Sequence, residues 1–524
     1  MTPDESATTR KSATDGRRRT GRKRASGAAT SRVTARDAHA PGSVHLTAEY
    51  WPFARTGGLG EAVNGLANYQ SAAGAPTTVV MPLYQQVRET TSDLERVGSA
   101  FEVTLGHRAE RAWLYRAVSD GGPKVYFIEH PGFFERAGIY GGEAGDFPDN
   151  GLRFAFFCMA ALAVLPDIAP DAQVLHAHDW HTALAPVYLR TTFAASPWHQ
   201  RLATVLSVHN AGFQGHFPPT AMADLGLPPH LYHMHAFEWY GRMNVLKGGI
   251  AFADSVVTVS PTHARELRSP EGGFGLHDTF TTLGDRLVGI LNGIDTKLWD
   301  PQTDPQVPAT YSCDDLAGKR KCKAELQRSY GLPERARTPV FGMSARLAAQ
   351  KGFDLILGAD LIGSSDAQFV FLGSGEVKYQ EALADLAAQA PDRVAVEFAF
   401  TDRLEHRLLA GADLLLMPSL YEPCGLTQMR AQRYGAIPVA RRVGGLQDSI
   451  RDGETGFLFD AYEPAALDQA IREAVERRHD TAAWHTMVRQ AMQERFGWDH
   501  AVTRYREVYQ RSLAARAALP VHPG

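Results

Sequence analysis

Short apolar runs bounded by polar turns recur along this chain, and between them apolar residues return every three or four positions. That alternation predicts buried parallel strands joined by helices. In the first half, strands are predicted at 45–48, 77–81, 125–127, 203–208, 255–259 and 287–291, and from 173 into the polar loop 176–181. Helical periodicity falls on Ala62, Val63, Leu66 and Tyr69, and again over 149–165. A long polar stretch, 296–338, predicts the passage between domains, after which the rhythm repeats at 340–344, 369–372, 394–398, 414–417 and 437–439. The fold class is therefore α/β, with two doubly wound, mostly parallel sheets facing each other. Open sheets of this kind take ligands at the carboxyl ends of their strands, so the cleft between them is the expected site.

Composition changes this picture little. A chain of 524 residues is too long for one core, and its 44% apolar and 21% charged content is ordinary for a globular enzyme. The net charge of −4 supplies no field to recruit nucleic acid. No apolar run is expected to span a membrane, which takes about 18 residues. The cysteines Cys158, Cys313, Cys322 and Cys424 have no paired spacing, which predicts a reducing compartment and no cysteine-rich metal cage. The first 41 residues stand apart: ten Lys or Arg against four acids, with almost nothing large and apolar. Such a segment is expected to be a disordered, solvated extension, and a transit or polyanion-binding arm is the functional alternative.

The chemistry lies where predicted strands end. Glu422-Pro423-Cys424-Gly425-Leu426-Thr427-Gln428 follows the apolar run 412–417 and precedes a helical pattern over 428–434. It puts a carboxylate on a loop at a strand's carboxyl end, followed by a turn and helix start whose N–H groups suit an anion. Near the start, Arg55-Thr56-Gly57-Gly58-Leu59-Gly60 sits between a strand and a helix, a phosphate-cradling turn with a guanidinium beside it. His176, His178 and His181 flank Asp179, and these residue types suit a metal. Against a metal, alternate residues of a strand end are expected to face opposite ways, no second cluster completes a shell, and Trp180 interrupts the run. Neither a metal nor a cofactor is expected.

Taken together and in order, these stretches resemble one family, the bacterial glycogen synthases and plant starch synthases that transfer glucose from ADP-glucose. The matching residues are Thr56 to Gly60, His176 to Trp180, Val208-His209-Asn210, Leu291 to Asp295, Arg346 with Lys351-Gly352, Glu422 to Gln428, and Gly444-Gly445-Leu446. The resemblance implies a GT-B fold of two Rossmann-like domains, an acceptor domain at 42–287 and a donor domain at 288–497. It also implies a last helix within 498–524 that crosses back to the first domain. It implies retention of configuration, with Arg346 and Lys351 on the diphosphate, His209 positioning the reacting carbon, and Glu422 on the sugar or its developing charge. Asp179 would meet the sugar or acceptor from the opposite wall, and Arg55, Gly57, Gly58 and Thr427 would approach phosphate. Asn292, Cys424, Gly425 and Leu426 match among the substrate-lining residues, Cys424 as a small filler rather than a nucleophile. The implied partners are ADP-glucose and an α-1,4-glucan primer, with no membrane and no nucleic acid, in the cytoplasm.

Three positions depart from the family's pattern: Arg55 where Lys is usual, Glu61 where Asp is usual, and Arg430 where an aromatic or apolar residue, or in broader relatives a ribose-binding Glu, is found. They leave open a donor other than ADP-glucose, such as UDP-glucose. The rival readings are another retaining GT-B transferase with a non-glucan acceptor and a catalytically weak glucan-binding protein.

Overall fold

Runs buried along their whole length form the centre of each sheet, as expected for parallel strands covered by helices on both faces. In this computed structural model the described residues are 40–118, 121–142, 145–363 and 365–518. The basic tail lies outside them up to His39.

The first sheet has nine strands: β1 (Ser43–Leu46), β2 (Thr77–Pro82), β3 (Leu94–Leu105), β4 (Arg108–Ala117), β5 (Lys124–Glu129), β6 (Val174–His178), β7 (Ala203–Val208), β8 (Ser255–Thr258) and β9 (Leu287–Gly289). Their order is β9-β8-β7-β6-β1-β2-β5-β4-β3, parallel except where β4 meets β3 and β5. The second sheet is parallel throughout. It runs β12-β11-β10-β13-β14-β15, from β10 (Val340–Ser344), β11 (Gln368–Leu372), β12 (Val394–Glu397), β13 (Leu414–Met417), β14 (Ile437–Arg441) and β15 (Phe457–Phe459). Both sheets belong to one compact unit that begins at Ala40.

Three expectations need correction. The antiparallel pair β3 and β4 was not anticipated, because its alternation carries charges such as Glu95, Arg96, Glu102 and Arg111 on an exposed sheet edge. The polar stretch 296–338 is not a bare connector. It holds a helix, Ala317–Ser329, packed on helix Asp402–Gly411, and Trp299, Tyr311 and Cys322 are buried in the second sheet's core. Its polarity hid it, since Lys319 and Lys323 are buried, with Nζ of Lys319 2.8 Å from the Tyr434 carbonyl and Nζ of Lys323 2.7 Å from Asp413. Finally, one helix among the described residues is long and apolar enough to cross a membrane: α2 (Asn150–Ile168, following α1, Gly58–Ala72). It is a core helix, 78% buried in its most apolar window. Its fully buried Arg153 donates to the carbonyls of Phe133 and Ile139 and to Asn150.

The last described helix, α3 (Trp498–Ala517), packs on the first sheet. Trp498, Ala501, Val502, Tyr505, Val508 and Tyr509 repeat at helical spacing and cluster with Ala62 and Leu66 of α1 and with Val174, Val205 and Val257. Gly65 makes that approach possible, because a Cβ there would collide with the indole of buried Trp498. Gly65→Ala should therefore lower stability by about 1–3 kcal/mol although alanine favours helices. A thermal melt followed by circular dichroism reads this, and an unchanged or higher Tm would refute the packing.

Candidate active site

Strand β13 ends in the loop that carries Glu422, and that loop leads into helix α4 (Thr427–Arg433). Glu422 is only 6% exposed. Its Oε2 accepts from Lys351 Nζ at 2.6 Å and from the Ser419 hydroxyl at 3.1 Å. Lys351 closes a short turn beyond β10, so the carboxyl ends of two adjacent strands supply this pair. Arg346, just past β10, is exposed and makes no ion pair among the described residues. The Glu422 carbonyl accepts the Gly445 N–H at 3.0 Å. Gly444, at φ +43°, passes so close that a Cβ would strike that carbonyl oxygen. Burial pushes the Cys424 thiol up to about 12, so it stays protonated and is no nucleophile at neutral pH. Asn292 lies beside it, buried, with Oδ1 unpartnered among the described residues. Leu426, in the turn into α4, comes within van der Waals reach of a side chain at Gly58 in the first half.

The opposite wall is built from β1, β6 and β7. The glycine turn does not present all its N–H groups to a ligand, because Thr56 and Gly57 donate theirs to Glu49 Oε2 at 2.7 and 3.3 Å. Glu49, buried at the end of β1, also accepts from the Thr56 and Tyr140 hydroxyls. A carboxylate of the protein thus sits where a phosphate was expected. Sequence reasoning missed Glu49, although an acid directly after a predicted strand was the available signal.

Asp179 follows β6 with φ +56° and ψ −176°, a conformation that side-chain-bearing residues rarely hold. Its Oδ1 accepts the backbone N–H of His209 at 2.6 Å, which fixes the turn after β7. Asn210 in that turn hydrogen-bonds Tyr421, so the His209 and Glu422 loops meet across the cleft. Burial lowers His209 to about 3, leaving it neutral.

His176 and His178 face the same way, contrary to expectation, since residues two apart on a strand share a face. With His45 of β1 they form a buried group whose ligand atoms lie within 4.8 Å of one another. Every ring nitrogen is already hydrogen-bonded: His45 to Gln70 and His178, His176 to Tyr509 and Ser207, and His178 to His45 and His209. A metal there would have to displace those bonds, and the group holds no carboxylate. His181 is not part of it; it stacks on Tyr140 at 4.6 Å.

The three departures from the family pattern meet in space. Glu61 accepts from Arg55 at 2.5 Å and also pairs with Arg430. Arg55 further pairs with Asp402, and Arg430 with Glu405 at 3.2 Å, while the Thr427 hydroxyl reaches Glu405 at 3.4 Å. Arg430 is buried, with its guanidinium 4.2 Å above the Trp299 ring, so it faces carboxylates rather than an open nucleoside pocket. Arg55 and Glu61 belong to the first half, and Asp402, Glu405 and Arg430 to the second. Further bonds join the halves: Ser260 to the Pro423 carbonyl at 2.6 Å, Thr262 to Asp448 at 2.6 Å and Glu266 to the Gly444 N–H at 2.8 Å.

Two mostly parallel sheets with polar loops converging from both into one cleft make a GT-B fold, the architecture of a class of glycosyltransferases. Residues 44–282 match the starch synthase catalytic domain family and 327–491 the glycosyl transferases group 1 family. The glycogen synthase of Syntrophotalea carbinolica is 40% identical over 89% of this chain and 97% of its own length. That of Anaeromyxobacter dehalogenans is 42% identical over 90% and 98%. Among solved structures, the catalytic domain of starch synthase IV from Arabidopsis thaliana, bound to ADP and acarbose, superposes with a TM-score of 0.84 at 33% identity, covering 90% of this chain and 99% of that one. The chain belongs to the glycogen and starch synthase family.

Removing Arg430 would strand Glu405, whose carboxyl burial already pushes up. Arg430→Met should cost about 3–5 kcal/mol in denaturant melts, and adding Glu405→Gln should recover much of it. Additive losses would contradict the pairing. Asp179 titrates about 7 rather than at its ordinary 3.8 because burial disfavours its charge. The folded state therefore binds its proton more tightly, and the stability this contributes is full at acid pH and lost as pH rises through that value. Between about pH 5 and about pH 8, the Tm of the parent chain should fall relative to Asp179→Asn; parallel curves would refute the shift.

Proposed function

We propose that this enzyme transfers glucose from ADP-glucose to the non-reducing end of an α-1,4-glucan with retention of configuration, in the bacterial cytoplasm. The observation that carries the reading is the Glu422 loop after β13: a buried carboxylate 2.6 Å from Lys351, which follows β10 as exposed Arg346 does. The glycogen synthases among its relatives and the ADP and acarbose held by the Arabidopsis enzyme favour this donor and acceptor. In domain terms, 42–287 is the acceptor half, 288–497 the donor half and 498–524 the returning segment, of which 519–524 lie outside the described residues. The two sheets and helix α3 support that division.

The roles follow from charge and reach. As the bond from the anomeric carbon to the diphosphate breaks, negative charge grows on the β-phosphate while the sugar ring becomes cationic. Arg346 and Lys351 supply fixed positive charge for the phosphate, and Glu422 braces Lys351 and offers its carboxylate to sugar hydroxyls. The acceptor hydroxyl attacks from the leaving-group side and passes its proton to a phosphate oxygen. His209, neutral, contacts the sugar by hydrogen bonding, and Asp179 holds the turn that carries it. Asn292, Gly425, Leu426 and Thr427 line the donor side, with Gly57 and Gly58 opposite. Arg55 reaches phosphate only by exchanging Asp402 for it.

The test is glucose incorporation into glycogen by the purified chain, with ADP-glucose and UDP-glucose in parallel, with and without chelator. Chelator-insensitive elongation favouring ADP-glucose is expected, and Lys351→Met should lower kcat/KM by about 10²–10³. Preference for UDP-glucose would overturn the donor, and near-full activity of Lys351→Met would overturn the site.

A further inference from the structure

A line of hydrogen-bonded side chains runs from α1 to the cleft. Gln70 Oε1 lies 2.8 Å from His45 Nε2, His45 Nδ1 lies 3.0 Å from His178 Nε2, and His178 Nδ1 lies 3.0 Å from His209 Nε2. Gln70, His45 and His178 are buried, whereas His209 is half-buried and its Nδ1 has no hydrogen-bond partner among the described residues. At the far end, the Gln70 amide donates to the Tyr509 hydroxyl of α3 at 3.1 Å. Tyr509 in turn bonds His176 Nδ1 at 2.8 Å, and His176 Nε2 bonds the Ser207 hydroxyl at 2.7 Å.

Burial keeps these rings neutral, with His45 lowered to about 4, His178 lowered well below its ordinary value and His209 to about 3. A neutral imidazole has one donor nitrogen and one acceptor nitrogen, so a line of them has a single direction. The Gln70 carbonyl only accepts, which places the His45 proton on Nε2 and leaves its Nδ1 a lone pair. His178 must then donate from Nε2 and accept at Nδ1. His209 donates from Nε2 into the line, and its Nδ1 is left unprotonated.

We propose that Gln70, His45 and His178 are positioning residues that fix the tautomer of His209, so that its Nδ1 accepts a hydrogen bond from a sugar hydroxyl and has no proton to give the leaving phosphate. This rests on the reading that His209 touches the donor sugar. One amide on α1, oriented by a tyrosine of the C-terminal helix, thus decides how a group at the cleft can bond. With the amide turned round, every donor and acceptor in the line would exchange, and His209 Nδ1 would carry a proton.

The test has two parts on the full chain. With histidine labelled with ¹⁵N and the His209 signals assigned by their loss in His209→Gln, the ligand-free protein should show Nδ1 as an unprotonated nitrogen and Nε2 as a protonated one. A protonated Nδ1 overturns the proposal. Gln70→Glu keeps an acceptor facing His45 and should retain the tautomer and most activity. Gln70→Met removes the direction and should lower kcat about tenfold, the worth of one hydrogen bond, with the KM for glycogen unchanged. Equal activity of the two variants overturns the proposal. If Gln70→Met does not fold, Tyr509→Phe, which frees the amide to turn, takes its place with the same expected loss. A parent chain that transfers no glucose would refute the proposed function while leaving the tautomer measurement to stand or fall alone.

Discussion

A parallel sheet delivers the carboxyl ends of its strands to one edge, and here two such sheets deliver theirs to a common cleft. Everything at the site follows from that constraint. β6 and β7 bring Asp179 and His209 from one side, while β10 and β13 bring Arg346, Lys351 and Glu422 from the other. None of these side chains is near another in sequence across the cleft, so the chemistry exists only because the halves are held together. The C-terminal helix contributes by packing Trp498 and Tyr505 onto the first sheet after the chain has completed the second.

Charge does the finer work of joining the halves. Glu61 lies between two guanidinium groups, one from each half, and the other carboxylates of the network balance them. A buried arginine without these partners would be costly, so Arg55, Glu61 and Arg430 make physical sense only as a set. The arrangement also occupies Arg55, whose freedom to meet phosphate depends on the grip of Asp402. The glycine turn follows the same logic, with Glu49 satisfying N–H groups that an incoming anion would otherwise take.

Most of the fold was legible in the sequence because buried parallel strands read as continuous apolar runs. The runs at 203–208, 340–344 and 414–417 coincide with β7, β10 and β13 to the residue. What escaped was whatever mixed polarity with burial: the charged edge pair β3 and β4, and the helix whose lysines are satisfied by buried carbonyls. At the candidate site, motif residues were visible one loop at a time, but the pairing of Lys351 with Glu422 was not among the expectations. Pairings across the cleft were not visible, since nothing in a linear pattern says that Arg430 meets Glu61 or that His45 meets His178. Arg430 read alone left the choice of donor nucleotide open, and only its ion pairs with Glu61 and Glu405 show that carboxylates claim it.

The most direct test of the account is a crystal structure of the chain with ADP and a maltooligosaccharide. The diphosphate should lie against Arg346 and Lys351, with sugar between His209 and Glu422 and Arg430 still paired with Glu61. A diphosphate bound away from Arg346 and Lys351, or a nucleoside stacked in place of Arg430 on Trp299, would contradict it.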